Sequence, residues 1–266
     1  MRTSALGKKI AIGTGAVTVS LVLSACGTSN VYERGGMPAP ATEEGSRILS
    51  LWQGSWIAAL IVGVFVWGLL IWAIVAYRRR EGDPLPAQTK YNVPIEILYT
   101  VAPLLMILAM FYFVQRDQTE LTRIDNKQTH SVNVIGWRWS WGFNYLDEGA
   151  YDVGTPGERP TLWLPVNEKV KFDLMSPDVD HSFWIPAFLM KMDVIPGRNN
   201  TFEVTPNKIG EFSGKCAELC GVDHSRMLFN VKVVTRAEYD AHIADLQAHG
   251  QAGKLDTGRS QVAGAQ

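Results

Sequence analysis

The apolar positions of this chain fall into three continuous blocks before residue 116 and then into short alternating runs. Ile10 to Leu23 is apolar but short for a bilayer, and Arg2, Lys8 and Lys9 precede it. That arrangement predicts a secretory signal over residues 1–25. Ile48 to Tyr77 runs thirty residues without a charged side chain, whereas a spanning helix needs about 20. Trp52 and Trp56 lie near one end of it, and Trp72 and Tyr77 near the other, as interfacial belts do. Tyr91 to Gln115 reads as a second span, and Pro103 inside it predicts a bend. Arg78, Arg79 and Arg80 between the spans predict a cytoplasmic connection. The signal segment independently predicts that Cys26 lies outside, so the N-terminus and everything after the second span are expected outside the cytoplasm. Residues 26–47 are rich in Gly, Pro, Ser, Thr and charge and read as a flexible tether.

After Arg116 the period shortens. Ser131 to Tyr145, Thr161 to Leu164, Lys169 to Met175, Thr201 to Thr205 and Met227 to Thr235 alternate or are β-branched, with Pro, Gly and Asp between them. Residues 116–236 are therefore expected to form an all-β barrel or sandwich. Arg236 to His249 has helical spacing, and residues 237–266 read as a short helix followed by a disordered tail. The whole is a membrane-anchored all-β protein, a two-helix transmembrane hairpin followed by an extracytoplasmic β domain.

The net charge of −1 offers no basic field for nucleic acid. Three cysteines, Cys26, Cys216 and Cys220, are too few for a disulfide framework. Two of them open the stretch that carries chemistry. Cys216, Cys220, His224 and Met227 lie within twelve residues, and His181 stands upstream in D-V-D-H-S-F-W. His181 is expected in a loop after the strand Lys169–Met175. Thiolates, imidazoles and a thioether are the donor set that selects copper. A Cys216–Cys220 disulfide would leave His181, His224 and Met227 without a role. Zinc does not usually take methionine. A second thiolate beyond the single one of a mononuclear blue-copper site permits two coppers, but residue types alone do not count metals.

The loop C-A-E-L-C-G-V-D-H-S-R-M resembles that of cytochrome c oxidase subunit II. The likeness extends over roughly Trp52 to Tyr239 through P-I-E-I-L-Y-T-V-A-P, G-W-R-W-S-W-G-F-N-Y, D-H-S-F-W-I-P and K-M-D-V-I-P-G-R. The resemblance implies a cupredoxin-like barrel holding a binuclear copper centre through His181, Cys216, Cys220, His224, Met227 and the backbone carbonyl of Glu218. It implies that the Glu218 carboxylate binds a magnesium shared with subunit I. Electrons would come from cytochrome c and pass to haem in subunit I, where dioxygen is reduced with proton pumping, so no catalytic residue is expected in this chain. Subunits I and III, cytochrome c and membrane lipid are the implied partners. The quinol-oxidising relatives lack the copper ligands present here, and no C-x-x-C-H occurs for a fused c-type haem. Separately, L-S-A-C at Leu23–Cys26 resembles the lipobox of bacterial lipoproteins, which implies cleavage before Cys26 and a lipid on its thiol.

Two further features have a bland and a sharp reading. Trp137, Trp139, Trp141, Phe143 and Tyr145 alternate and would share one face of a strand. On pattern alone this is a core stripe. The resemblance aligns Trp139 with the tryptophan through which electrons enter, and departs from much of the family at Trp137. Glu96 lies near the cytoplasmic end of the second span. An ionisable residue there either reaches the headgroups or serves function, and the resemblance aligns it with the entrance of a proton pathway into subunit I. His130, His242 and His249 sit in polar surroundings and read as solvated surface residues.

Overall fold

The computed structural model describes residues 30–125, 127–155 and 157–255. The signal segment, Cys26 and the end of the tail lie outside them. The chain divides into two compact units, one formed by residues 50–118 and the other by the rest.

The helical unit contains most of α1 (Glu43–Ala76) and α2 (Val93–Leu121). Both helices have the length and composition to cross a membrane, and their apolar side chains are exposed along the span. Each helix is longer than expected. α1 begins five residues before Ile48 because Thr42 caps it, its Oγ1 accepting from the Gly45 N–H at 2.9 Å. Ala41 and Thr42, expected within a flexible tether, are fully buried. Ala41 N–H donates to the Ala187 carbonyl at 2.8 Å, the Ala41 carbonyl accepts from Asn207 N–H at 3.0 Å, and Thr205 N–H donates to Glu44 Oε2 at 2.9 Å. The start of α1 thus belongs to the β unit. In α2, Pro94 falls in the first turn, where its missing N–H costs nothing. The helix runs unbroken through Pro103 to Leu121.

Among the described residues, the β unit has ten strands in two five-stranded sheets. One has the order β3 (Ala150–Val153), β2 (Ser140–Tyr145), β1 (His130–Trp137), β5 (Val170–Met175), β8 (Asn200–Val204). The other has β4 (Thr161–Pro165), β10 (Leu228–Val234), β9 (Gly210–Cys216), β6 (His181–Ile185), β7 (Met190–Val194). Alternation decides which side chains fill the space between the sheets. Val170, Phe172 and Leu174 point inward from β5, as Phe229, Val231 and Val233 do from β10. Phe183 and Phe229 stack at the centre with centroids 4.9 Å apart, and Trp141 meets both edge-on. Each such ring contributes roughly 1.5–3 kcal/mol by leaving water. Gly214 on β9 must be glycine, because a Cβ there would fall 2.0 Å from the Phe229 ring.

The expected single strand from Ser131 to Tyr145 is a hairpin. Trp137 pairs with Ser140, so Arg138 and Trp139 form its turn. The aromatic stripe therefore breaks. Trp141, Phe143 and Tyr145 are core, Trp137 is half-buried on β1, and Trp139 projects from the turn.

A capping box between Thr235 and Glu238 starts α3 (Arg236–Ala248), which buries Tyr239, Ile243 and Leu246 against the β unit. Its dock holds two histidines expected in solvent, one buried and one half-buried. His130 is buried, with Nδ1 2.6 Å from Glu148 and Nε2 2.9 Å from Glu168. Arg236 pairs with Glu168 at 3.0 Å, and the Tyr239 hydroxyl donates to Glu148 at 3.0 Å. His242 also leaves solvent, stacking on Trp163 at 4.2 Å. His249 alone of these three histidines is exposed. Burial disfavours the His130 cation, but the two carboxylates outweigh it and raise its pKa. Its stabilising contribution is therefore complete below the ordinary histidine pKa, about 6.5, and is lost as pH rises through the raised folded value. His130→Gln is expected to remove about 2 kcal/mol, by leaving the partly buried Glu148 without a cationic partner while Glu168 keeps Arg236, and to flatten the pH dependence of stability on that alkaline side. Hydrogen exchange at the α3 amides across pH checks both.

Candidate metal centre

The loop between β9 and β10 is closed at its base by pairing of Lys215 with Leu228. Beyond that pair the Cys216 N–H donates to the Met227 carbonyl at 3.0 Å. A one-turn 3-10 helix, His224–Arg226, folds the loop back, with His224 N–H on the Gly221 carbonyl at 3.1 Å. β6 supplies the remaining imidazole. His181, expected in a loop, is instead the first residue of that strand. Phe183 pairs with Cys216, and the Ala217 N–H donates to the Ser182 carbonyl at 3.0 Å.

These backbone constraints bring five donor side chains together. Cys216 Sγ and Cys220 Sγ are 3.8 Å apart. His181 Nδ1 lies 3.9 Å from Cys216 Sγ, and His224 Nδ1 lies 3.6 Å from Cys220 Sγ. Met227 Sδ is 3.9 Å from Cys220 Sγ. The Glu218 carbonyl oxygen points at Cys216 Sγ, 3.2 Å away, while Glu218 itself is exposed. Both cysteines are free and buried. His181 and Met227 are fully buried, and His224 is half-exposed.

The two thiols hold their protons unequally. Burial pushes both up, but hydrogen bonding with His181 and with the backbone of Glu218 and Ser182 outweighs it at Cys216 and lowers that pKa. At Cys220, burial and the neighbouring Cys216 charge act together and raise it. The pair gives up one proton readily and keeps the second until a cation replaces it.

Sequence reasoning missed Asp178, although the acid three residues before His181 was a signal. Its Oδ1 lies 3.0 Å from His181 Nε2. A carboxylate there accepts the hydrogen bond from Nε2–H and leaves Nδ1 unprotonated, its lone pair available toward the sulfurs. Asp178 in turn accepts from Arg138 N–H at 2.8 Å and Val179 N–H at 2.6 Å. Burial raises its pKa, yet these donors and His181 bring it down to about 2. Trp141, expected only in the core, also donates its indole N–H to the Met227 carbonyl at 3.3 Å.

Trp139 reaches the loop from the β1–β2 turn. Its indole N–H donates to the Cys220 carbonyl at 3.2 Å, and its ring covers Gly221, where a Cβ would meet it at 3.0 Å. Glu96 belongs to the helical unit. It sits in the first turn of α2, and its Oε1 accepts from the Asn92 N–H at 2.9 Å, a capping role that the sequence reading did not include.

Residues 158–234 match the family model described as cytochrome c oxidase subunit II, periplasmic domain. The chain is 50% identical to the probable cytochrome c oxidase subunit 2 of Streptomyces avermitilis, over 93% of this chain and 90% of that one. It is 49% identical to the corresponding protein of Streptomyces coelicolor, with the same coverage. Among solved structures, the periplasmic domain of subunit II of cytochrome oxidase from Bradyrhizobium japonicum matches 47% of this chain and 99% of that one, at 29% identity and a TM-score of 0.43. The two-sheet β unit fits a cupredoxin-like fold.

Asp178→Asn should keep the fold but lose the carboxylate that orients His181. Copper affinity is expected to fall about tenfold or more, measured by competition titration, whereas a purely structural Asp178 would leave it unchanged.

Proposed function

Because the chain belongs to the cytochrome c oxidase subunit II family, we propose that its metal loop holds a binuclear copper centre and that the chain carries electrons from a c-type cytochrome to a haem of the catalytic subunit. It is a membrane-anchored subunit of an oxidoreductase complex with an extracytoplasmic domain. The proposal rests first on the convergence of His181, Cys216, Cys220, His224 and Met227 about two sulfurs 3.8 Å apart.

The donor set fits copper. A disulfide requires sulfurs about 2.05 Å apart and would not account for two imidazoles and a thioether directed at them. Zinc does not account for Met227. Copper bound there supplies a one-electron redox couple. The chain's own residues do the rest. Cys216 offers a thiolate at low cost, and Cys220 releases its proton on binding. Asp178 fixes the His181 ring. His181, both cysteines and Met227 are buried, and a copper held by these side chains, His224 and the Glu218 carbonyl would have its ligands supplied by the chain itself. That suits electron transfer, with dioxygen chemistry in another subunit.

Trp139 is the proposed entry point. It is partly exposed, and its hydrogen bond to the Cys220 carbonyl is a direct connection from the surface to a ligand. The exposed Glu218 carboxylate is free to bind a magnesium shared with subunit I, hard oxygen for a hard cation. Glu96, half-exposed at one end of α2, is the proposed entrance for protons into subunit I, and its cap to Asn92 would tether it there. Subunit III completes the proposed complex, and Cys26 is the proposed lipid attachment.

Trp139→Phe keeps an aromatic ring and removes the N–H. Electron entry from reduced cytochrome c, followed by stopped flow, should slow about tenfold, equivalent to ~1.4 kcal/mol of barrier. Copper content and visible spectrum should be unchanged. An unaltered rate would assign Trp139 to packing.

A further inference from the structure

The outer face of the β4-β10-β9-β6-β7 sheet carries a row of side chains that the metal centre does not use. Trp184 on β6 stands opposite Lys191 on β7 and, on its other side, opposite Lys215 on β9. Residues directly opposite on antiparallel strands point to the same face. The three therefore form one cross-strand row, lysine–tryptophan–lysine. Lys215 Nζ lies 4.4 Å from the centroid of the Trp184 ring. The row borders an open concavity of about 630 Å³ that reaches Cys216 and His224.

The charges in this row are unbalanced. Lys232, on the same sheet, pairs with Glu211 at 3.0 Å, and Lys169, just before β5 of the other sheet, pairs with Asp125 at 2.7 Å. Lys191 and Lys215 have no carboxylate within 4.0 Å among the described residues. Asp193, on the same face of β7, forms no ion pair with either.

We propose that this concavity docks an acidic segment of a partner protein, with partner carboxylates on Lys191 and Lys215 and the segment covering Trp184. A tryptophan flanked by two unpaired cations suits such a segment, because covering the ring lowers the local dielectric around the lysine–carboxylate pairs and strengthens them. Tryptophan is also enriched where interfaces concentrate their binding energy. Lys191, Trp184 and Lys215 are not among the metal-loop donors, so copper content is the control that separates a failure of this docking from a failure of the copper centre.

Zero-length cross-linking of native membranes tests it. A water-soluble carbodiimide joins a lysine amine to a contacting carboxylate as an amide, with loss of one water. Peptide mass spectrometry is expected to find Lys191 or Lys215 joined to an Asp or Glu of another chain. The doubly substituted Lys191→Gln, Lys215→Gln chain should lose that link and release its partner at lower salt, while Lys191→Arg, Lys215→Arg holds the partner as the unsubstituted chain does. Copper content should be equal in all three. Free labelling of both lysines by an amine reagent in the intact complex, or links only to this chain's own Asp193, would overturn the proposal.

Discussion

One backbone carbonyl, that of Met227, holds both ends of the metal loop. It accepts from the Cys216 N–H at 3.0 Å and from the Trp141 indole at 3.3 Å. The first bond fixes two donor residues, Cys216 and Met227, to each other. The second ties them to a fully buried ring that packs on Phe183 and Phe229. A close-packed interior resists small displacements. The donors at the loop's base are therefore held by the protein's core before any cation arrives. A centre that changes charge without rearranging needs that property, since every ligand shift on electron arrival adds to the barrier.

The two imidazoles are held differently. His181 is buried, starts a paired strand and is backed by Asp178, whose own oxygens are occupied by Arg138 and Val179. His224 is half-exposed on a one-turn helix anchored by backbone bonds to Gly221 and Met227. The rigid side of the site faces the core, and the adaptable side faces solvent. Trp139 and the concavity at Trp184 both reach the loop from its exposed margins.

What was legible in the sequence was local. Cys216, Cys220, His224 and Met227 share one loop, so their spacing already grouped the donor side chains that the fold brings together. The two spans declared themselves by length, and β5 and β10 by strict alternation. What was hidden depends on distant partners. β6 reads H-S-F-W-I with His181, Ser182 and Phe183 all buried, so no alternation marked it as a strand. The run from Trp137 to Tyr145 alternates across a two-residue turn, which periodicity alone does not reveal. His130 looked solvated because its partners, Glu148, Glu168, Arg236 and Tyr239, come from three separate stretches. α1 starts early because residues 41–45 find hydrogen-bond partners at Ala187, Thr205 and Asn207, far along the chain.

The central claim is that Cys216 and Cys220 jointly hold a pair of copper ions. Metal analysis combined with electron paramagnetic resonance on the purified copper-loaded chain tests it most directly. The account predicts two coppers per chain and the hyperfine pattern of one unpaired electron shared equally between two nuclei. The pattern of a single isolated copper, or a Cys216–Cys220 disulfide in a chain that takes up none, would contradict it.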